Sequence, residues 1–407
     1  MRIAFLTPLW PPSMAQNGIA TYVDIMTRAL ERRGHECIVI AMWPMGTVDD
    51  PRMRRLQTPQ LNGAEKLLRR VRHKLEGARS FDYNLFGQGV ANALVAADRE
   101  RPVDIFEAEE SFGLARYSVG ATGAPVILRA HGPHYLVHQP PFDRSDRRRE
   151  RKEGHAFREA TAASFPSTAL RDAVSSHYSA NFPLCAAYPN PVDIAPAEEC
   201  WTLDGCDRNT ILFVGRFDTV KGADIALKAF ESVGKTRPDL RLVMAGADHG
   251  LRAPDGTILK FADYARAHVS PSVRERIDFL GPVPREEIAR LRRRALVNLT
   301  ASRFETFSYA AVEALALGAP AVATATPGLT EYLTDGEEIL FAPPGDAEQL
   351  AQRIGRCVDD HEFAARLGAK GREAAVTLFS PDAIAERAEA FYGEVSDRAS
   401  RKKAALS

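Results

Sequence analysis

Two glutamates, Glu305 and Glu313, bracket a short apolar stretch with Gly318 and Pro320 beyond it. Glu305 follows the run Ala295–Thr300, which reads as a buried strand, so it is expected at that strand's carboxyl end. Glu313 lies inside Ser308–Leu317, whose Ala- and Leu-rich composition predicts a helix, with Gly318 as its C-terminal stop. A desolvated carboxylate is costly unless something holds it, so the segment reads as a binding floor. Helical rise over this interval places the two carboxylates about 12 Å apart. A glycosidase acid/base pair sits about 5–10 Å apart across the scissile bond, so these two cannot share one bond-breaking event. They suit two parts of an extended, hydroxyl-rich ligand, and the Phe307 and Ser308 N–H groups near the helix start suit an anion. A sugar, a diphosphate and a ribose fit that arrangement. Two surface glutamates on an ordinary core helix fit the segment equally well when it is taken alone.

A second constellation lies upstream. Strand Thr210–Val214 runs into Gly215-Arg216 and then Lys221-Gly222, before a helix from Ala223 to Val233. Glycine lets the backbone turn sharply and approach a ligand closely. Arg216 offers a planar fork for phosphate, and Lys221 a point charge near a helix N-terminus. Two cations at a strand-to-helix turn read as a diphosphate clamp, with a solvated Arg and Lys on a loop as the alternative. Other candidates carry less. Gly87-Gln-Gly89 is half of a dinucleotide fingerprint in a helical stretch with no strand before it, which favours helix packing. There is no Walker-type phosphate loop, no Asp-x-Asp, no His-Glu-x-x-His and no dense His/Cys cluster, so no metal is expected. His134 and His138 read as loop histidines, with the acceptor side as their alternative. The basic runs Arg69–Lys74 and Arg147–Lys152 read first as solvated helix faces. Their second reading is contact with a membrane surface or an anionic, lipid-linked acceptor.

The elements that must position these residues follow from the pattern. At 407 residues the chain exceeds one ordinary core, so two domains are expected. Short apolar runs alternate with amphipathic stretches twice over. The first half offers strands at Arg2–Leu6, Glu36–Met42, Val103–Glu107, Pro125–Ala130 and Ala162–Phe165. The second offers Thr210–Val214, Arg241–Ala245, Ile277–Leu280, Leu296–Thr300, Ala319–Thr324 and Ile339–Ala342. Such alternation predicts an α/β chain with two Rossmann-like, doubly wound parallel sheets facing across a cleft, with ligands at the carboxyl ends of strands. The expected boundaries are 1–190 for the first domain, 191–205 for a linker and 206–379 for the second domain. A last helix near 380–396 is expected to pack back onto the first domain, followed by a frayed tail at 397–407.

Residues 1–200 hold 25 basic and 23 acidic groups, the remainder 28 and 30, so bulk charge suggests no nucleic-acid partner. Five scattered cysteines favour a reducing compartment. Without a signal-peptide core or a run of about 18 apolar residues, the expected location is cytoplasmic, with the inner membrane face as the place for any peripheral contact.

The paired signals, Gly215-Arg216 with Lys221-Gly222 and Glu305 with Glu313, resemble the retaining nucleotide-sugar glycosyltransferases of group 1 (family 4, GT-B fold). The resemblance covers nearly the whole chain. Asn17-Gly18-Ile19 is similar to that family's N-terminal glycine loop, and Ile127–Gly132 to its strand ending in His-Gly. Pro166-Ser167, Pro189-Asn190, Gly281-Pro-Val283-Pro284 and Pro327-Gly328-Leu-Thr-Glu331 are further matches, each weak alone.

The resemblance implies transfer of a sugar, with retention and without a metal, from a UDP- or GDP-sugar to a sugar, lipid-linked or small-molecule acceptor. The products implied are glycans, polysaccharides, glycolipids or glycosylated metabolites. Arg216 and Lys221 would hold the donor diphosphate, and Glu305 the donor sugar's hydroxyls. Gly215 and the Thr306, Phe307 and Ser308 amides would stand nearby, Glu313 would accept from the ribose, and Val283 would border the base. His131 and Gly18 of the first domain would complete the site. The departures are Asn17 for a first glycine, Thr161 for an Asp, Pro191 for a glycine after Asn190, and Pro327 for a glycine before Glu331. The alternatives are a same-fold epimerase or phosphorylase, and a catalytically silent sugar-nucleotide-binding protein.

Overall fold

A computed structural model describes the chain except residues 15–16, 47–48, 61, 68–80, 139–140, 254–255 and 405–407, with the side chains of 402–403 also left out. The basic run 69–74 therefore lies outside the described residues. The chain divides into two compact units, Met1–Asn190 with Ile384–Ser407, and Pro191–Ala383.

The first unit is built on a seven-stranded sheet in the order β3-β2-β1-β4-β5-β6-β7. Its strands are β1 Arg2–Trp10, β2 Glu36–Pro44, β3 Met53–Arg55, β4 Ile105–Glu109, β5 Val126–Arg129, β6 Ala162–Phe165 and β7 Cys185–Ala187. All pairings are parallel, Ile3 standing opposite both Cys37 and Ile105. Burial on both faces explains why β1, β5 and β6 are mostly apolar, while β4, equally buried, carries Glu107 and Glu109. β3 and β7, three residues each, carry no such run and do not stand out in the sequence. One face packs on Val90, Leu94, Leu114 and Phe157, the other on Tyr22, Met26, Ile384 and Tyr392.

The second unit has a six-stranded sheet in the order β12-β9-β8-β13-β14-β15 and a small β10-β11 ribbon. The strands are β8 Asp207–Val214, β9 Arg241–Ala245, β10 Leu251–Arg252, β11 Ile258–Leu259, β12 Ile277–Gly281, β13 Ala295–Thr300, β14 Ala321–Thr324 and β15 Leu340–Ala342. The sheet is again parallel throughout. Strand order reverses between β1 and β4 in the first sheet and between β8 and β13 in the second. The crevice beyond the carboxyl ends at such a reversal is where parallel sheets take ligands.

Two boundaries differ from expectation. The stretch 191–205 belongs to the second unit. Val192 N–H donates to Phe379 O at 2.9 Å, Arg372 reaches Ala195 O at 2.7 Å, and the buried Trp201 donates Nε1–H to Ala295 O at 2.8 Å. The last helix runs Pro381–Ala404, so most of the expected tail is helical. Its Tyr392 hydroxyl donates to Glu107 Oε2 at 2.8 Å and its Glu389 pairs with Arg33 at 2.6 Å, both inside the first unit. No helix among the described residues is long and apolar enough to cross a membrane.

Candidate functional site

Gly215, Arg216, Lys221, Val283, Glu305, Thr306, Phe307 and Ser308 all lie beyond the carboxyl ends of β8, β12 and β13. Backbone contact explains how two distant loops meet there. Gly222 has φ +65°, and a Cβ on it would fall 1.8 Å from Ala301 O, just past β13. Only glycine allows that approach. It lays the 216–222 loop on the 301–305 loop, where Arg303 N–H donates to Val220 O at 2.9 Å. Lys221 Nζ consequently pairs with Glu305 Oε1, to which Ser302 Oγ also donates at 2.8 Å.

Asp218 sets the other charge. Its Oδ2 accepts from Arg216 Nε and its Oδ1 from the Lys221 backbone N–H, both at 2.7 Å, so one aspartate holds the Arg216 guanidinium and the main chain at Lys221. Arg303 forks onto Asp224 at 2.7 and 2.6 Å and donates to Thr219 O at 2.8 Å, locking the same two loops. The residue pattern singles out neither aspartate nor Arg303, because loop charges of this kind read as solvated. Asp218 falls between Arg216 and Lys221, and that position is the signal that could have found it.

The helix after Glu305 spans Tyr309–Ala316, with Ser308 as its N-cap and Gly318 at φ +73° beyond its end. Glu305 therefore sits on a loop and not at the head of a continuous helix. The Glu305–Glu313 separation expected from helical rise does not apply to this backbone. Phe307 and Ser308 are buried, and among the described residues their N–H groups meet no protein acceptor. Gly328 supports this loop, since a Cβ there would fall 2.1 Å from Thr306 O. Pro327 opens the short helix Pro327–Thr330, a position where a missing N–H costs nothing within the helix.

Glu313 is partnered by cations. Its Oε2 accepts from the buried Arg292 at 2.9 Å, and Arg285 stands 3.7 Å from Oε1. Arg292 also donates to Ala310 O at 2.6 Å, while its Nε finds no partner. Burial lowers the Arg292 pKa, an effect the Glu313 carboxylate opposes. Val283 follows Gly281, whose carbonyl accepts from Gly246 N–H at 2.9 Å at the end of β9.

Gly18 and His131 belong to the first unit. Gly18 opens the helix Gly18–Arg32, capped by Asn17, whose Oδ1 accepts from Ile19 and Ala20 N–H at 2.9 and 3.1 Å. Asn17 is extended, φ −136°, so it serves as a cap and its tolerance of positive φ is not used. The His131 ring lies edge-on to Tyr22 at 4.9 Å. Burial, then the Arg129 guanidinium, holds its pKa well below the usual histidine value, which leaves a neutral imidazole. Its backbone N–H and that of Gly132 donate to the buried Glu110 carboxylate at 2.9 and 2.6 Å.

Of the basic run 147–152, Arg149 turns inward to Glu153 at 2.9 Å and stacks 4.0 Å over Phe112. Arg148, Arg151 and Lys152 join Arg116 and His155 around a cavity of about 300 Å³. Gly87 and Gly89 are packing glycines: a Cβ on Gly87 would fall 2.2 Å from the Tyr117 ring and one on Gly89 3.2 Å from Thr58 Cγ2.

With this geometry in place, comparison with known proteins is direct. Residues 16–195 match the family described as Glycosyltransferase Family 4, and residues 205–374 match Glycosyl transferases group 1. A D-inositol 3-phosphate glycosyltransferase from Acidothermus cellulolyticus is 33% identical over 161 residues, which is 39% of this chain and 34% of that protein. The mannosylfructose-phosphate synthase of Agrobacterium fabrum is 29% identical over 183 residues, 45% of this chain and 40% of that protein. The matches thus span well under half the length of these relatives. Among solved structures, a sucrose-phosphate synthase from Thermosynechococcus elongatus superposes with a TM-score of 0.70 at 21% identity, over 97% of this chain and 98% of that one. HepE from Anabaena, solved with UDP and glucose, gives 0.67 at 16% identity over 97% and 100%. These structural likenesses establish the fold.

Proposed function

Because the chain belongs to the group-1 glycosyltransferases and has their GT-B fold, we propose that it transfers a sugar, with retention, from a nucleotide diphosphate sugar to an acceptor. The observation that carries this reading is the meeting of Lys221 with Glu305, beside Arg216, at the strand-order reversal of the second sheet. In transfer, the bond from the anomeric carbon to the diphosphate breaks and its electron pair stays on the leaving oxygen. Lys221 and Arg216 stabilise that oxygen, and the Phe307 and Ser308 N–H groups add fixed dipoles at a helix start. Each well-placed donor of this kind commonly contributes about 3–4 kcal/mol to the transition state. Glu305 Oε2, with no donor among the described residues, receives a sugar hydroxyl. Glu313 accepts from the ribose while Arg292 holds it in place. The leaving charge is met by protein cations, with no metal on the diphosphate. His131, neutral, hydrogen-bonds donor or acceptor hydroxyls.

UDP- and GDP-sugars are the donor class, and HepE, solved with UDP and glucose, supports the first. The names of the inositol, mannosylfructose and sucrose enzymes each contain a sugar or polyol phosphate, which favours a phosphorylated polyol or sugar as acceptor. A lipid-linked acceptor would instead bring the basic helix Arg144–Glu159 to an anionic surface, a peripheral contact. The test is transfer measured on a panel of nucleotide sugars and acceptors with Lys221→Ala and Arg216→Ala. Near-complete loss in both, with the fold intact by circular dichroism, is expected. Full activity in both would overturn the assignment, and donor turnover without acceptor would favour an epimerase.

A further inference from the structure

Two histidines one helical turn apart and an aspartate from the following helix converge in the first unit. His134 opens the short helix His134–Val137 and His138 closes it, so both rings leave the same face. The rings lie nearly parallel, 14° apart with centroids at 4.8 Å. His134 Nε2 stands 2.8 Å from Asp146 Oδ1, and His138 Nε2 stands 3.6 Å from that same oxygen. Among the three potential ligand atoms no separation exceeds 4.8 Å.

The carboxylate is aimed. Asp146 Oδ2 accepts from Asp143 N–H at 2.9 Å in a reciprocal cap, which leaves Oδ1 facing the histidines. The backbone at His134 is fixed as well, its main-chain N–H donating to the buried Glu153 Oε2 at 2.8 Å. A ligating carboxylate held by an outer hydrogen bond, as Asp146 is, commonly supports a metal centre. Hydrogen bonding accounts for only half of the arrangement, because 3.6 Å is too long for His138. A tetrahedral cation with bonds of about 2.0–2.2 Å separates its ligands by about 3.3 Å. The two distances to Asp146 Oδ1, 2.8 and 3.6 Å, bracket that spacing, and the three atoms together span up to 4.8 Å, wider than it. The half-exposed His138 side chain can rotate to close the remaining gap.

We propose that His134 Nε2, His138 Nε2 and Asp146 Oδ1 bind a divalent transition-metal cation of the zinc class. Three protein ligands leave a fourth position for water or an acceptor oxygen. The site ties the helix His134–Val137 to the helix Arg144–Glu159 and is separate from the residues assigned to the donor.

The test uses the full chain, stripped with chelator and titrated with Co²⁺ and Zn²⁺. One equivalent of Co²⁺ with the intense visible bands of a low-coordinate nitrogen site is expected, together with a Zn²⁺-dependent rise in Tm. His138→Ala and Asp146→Asn should each weaken binding at least tenfold, and His249→Ala, at an exposed histidine elsewhere, should not. His138 is exposed enough that its replacement leaves the fold intact, so the result does not depend on the buried His134. Absence of the Co²⁺ bands, or binding indifferent to His138→Ala, overturns the proposal.

Discussion

The two strand-order reversals handle negative charge in opposite ways. Beyond β8 and β13, each carboxylate has a cation: Glu305 takes Lys221, Asp218 takes Arg216, Asp224 takes Arg303 and Glu313 takes Arg292. Around β4 in the first unit, the buried carboxylates rest mainly on neutral donors. Glu107 takes the Tyr22 and Tyr392 hydroxyls, both at 2.8 Å, and Glu110 takes the His131 and Gly132 amides. Glu109 takes Ser111 N–H, while its Oε1 has no partner among the described residues. Burial, then the neighbouring Glu110, pushes the Glu109 carboxyl up to about 8, and burial, then Glu153, raises Glu110 to about 7. The physical lesson concerns exchange. A partly exposed cation can leave its carboxylate for a phosphate at little net cost, because one ion pair replaces another. A buried carboxyl held by neutral groups takes up a proton instead of a partner. The charge pairing thus suits the second edge to the proposed anion, and the neutral donors suit the first to a fixed scaffold.

Removing the contact that assembles the second edge should have the largest effect. Gly222→Ala forces a Cβ into Ala301 O at φ +65°, and about 3 kcal/mol of stability in the second unit should go with it. Transfer should fall about 100-fold as Lys221 loses its register with Glu305. Chemical denaturation and steady-state kinetics check this. An unchanged variant would mean that the two loops meet for some other reason.

The scaffold side of the contrast should appear in pH. Glu109 and Glu110 are raised in the folded chain, so the native state holds protons that the unfolded chain has already released. Native proton binding exceeds unfolded binding between about 4.5 and 8, and stability therefore falls as pH rises through that window. One such proton is equivalent to at most about 1.4 kcal/mol per pH unit. Glu109→Gln should flatten the slope, read as amide exchange in peptides covering 103–118 between pH 5.5 and 7.5. Glu110 keeps its own share of the slope, so a slope left unchanged by the substitution would place the Glu109 proton elsewhere.

How much of this is legible in sequence depends on burial. Strands β6 and β9 coincide with the runs Ala162–Phe165 and Arg241–Ala245, because parallel strands covered on both faces are largely apolar. β4 continues to Glu109, two residues past the apolar signal, because its last acids are desolvated in place and look like a loop in sequence. The residues proposed for the donor edge stand out by type: Arg216, Lys221, Glu305 and the 306–308 amides. Their contacts are not, since Lys221 and Glu305 are 84 residues apart and meet only through the bare backbone of Gly222. His134 and His138 read as loop histidines in the sequence; the short helix that stacks them and the cap that turns Asp146 toward them show only in the structure.

The smallest effect tests whether the second edge works as matched pairs. Arg303 donates to both oxygens of Asp224 and to Thr219 O, and all three bonds are short. Its pKa is raised, first by the Asp224 bonds. Asp224 is the more buried partner, with its side chain 12% exposed against 30% for Arg303, so Arg303→Ala strands a carboxylate and should cost more than the pair is worth. A double-mutant cycle with Asp224→Asn removes that excess, and a coupling of about 1–2 kcal/mol is expected. Arg303 touches none of the atoms assigned to the donor, so KM for the nucleotide sugar should rise more than kcat falls. If kcat alone falls and the coupling is zero, Arg303 acts in the transfer step itself, and the edge is not built of exchangeable pairs.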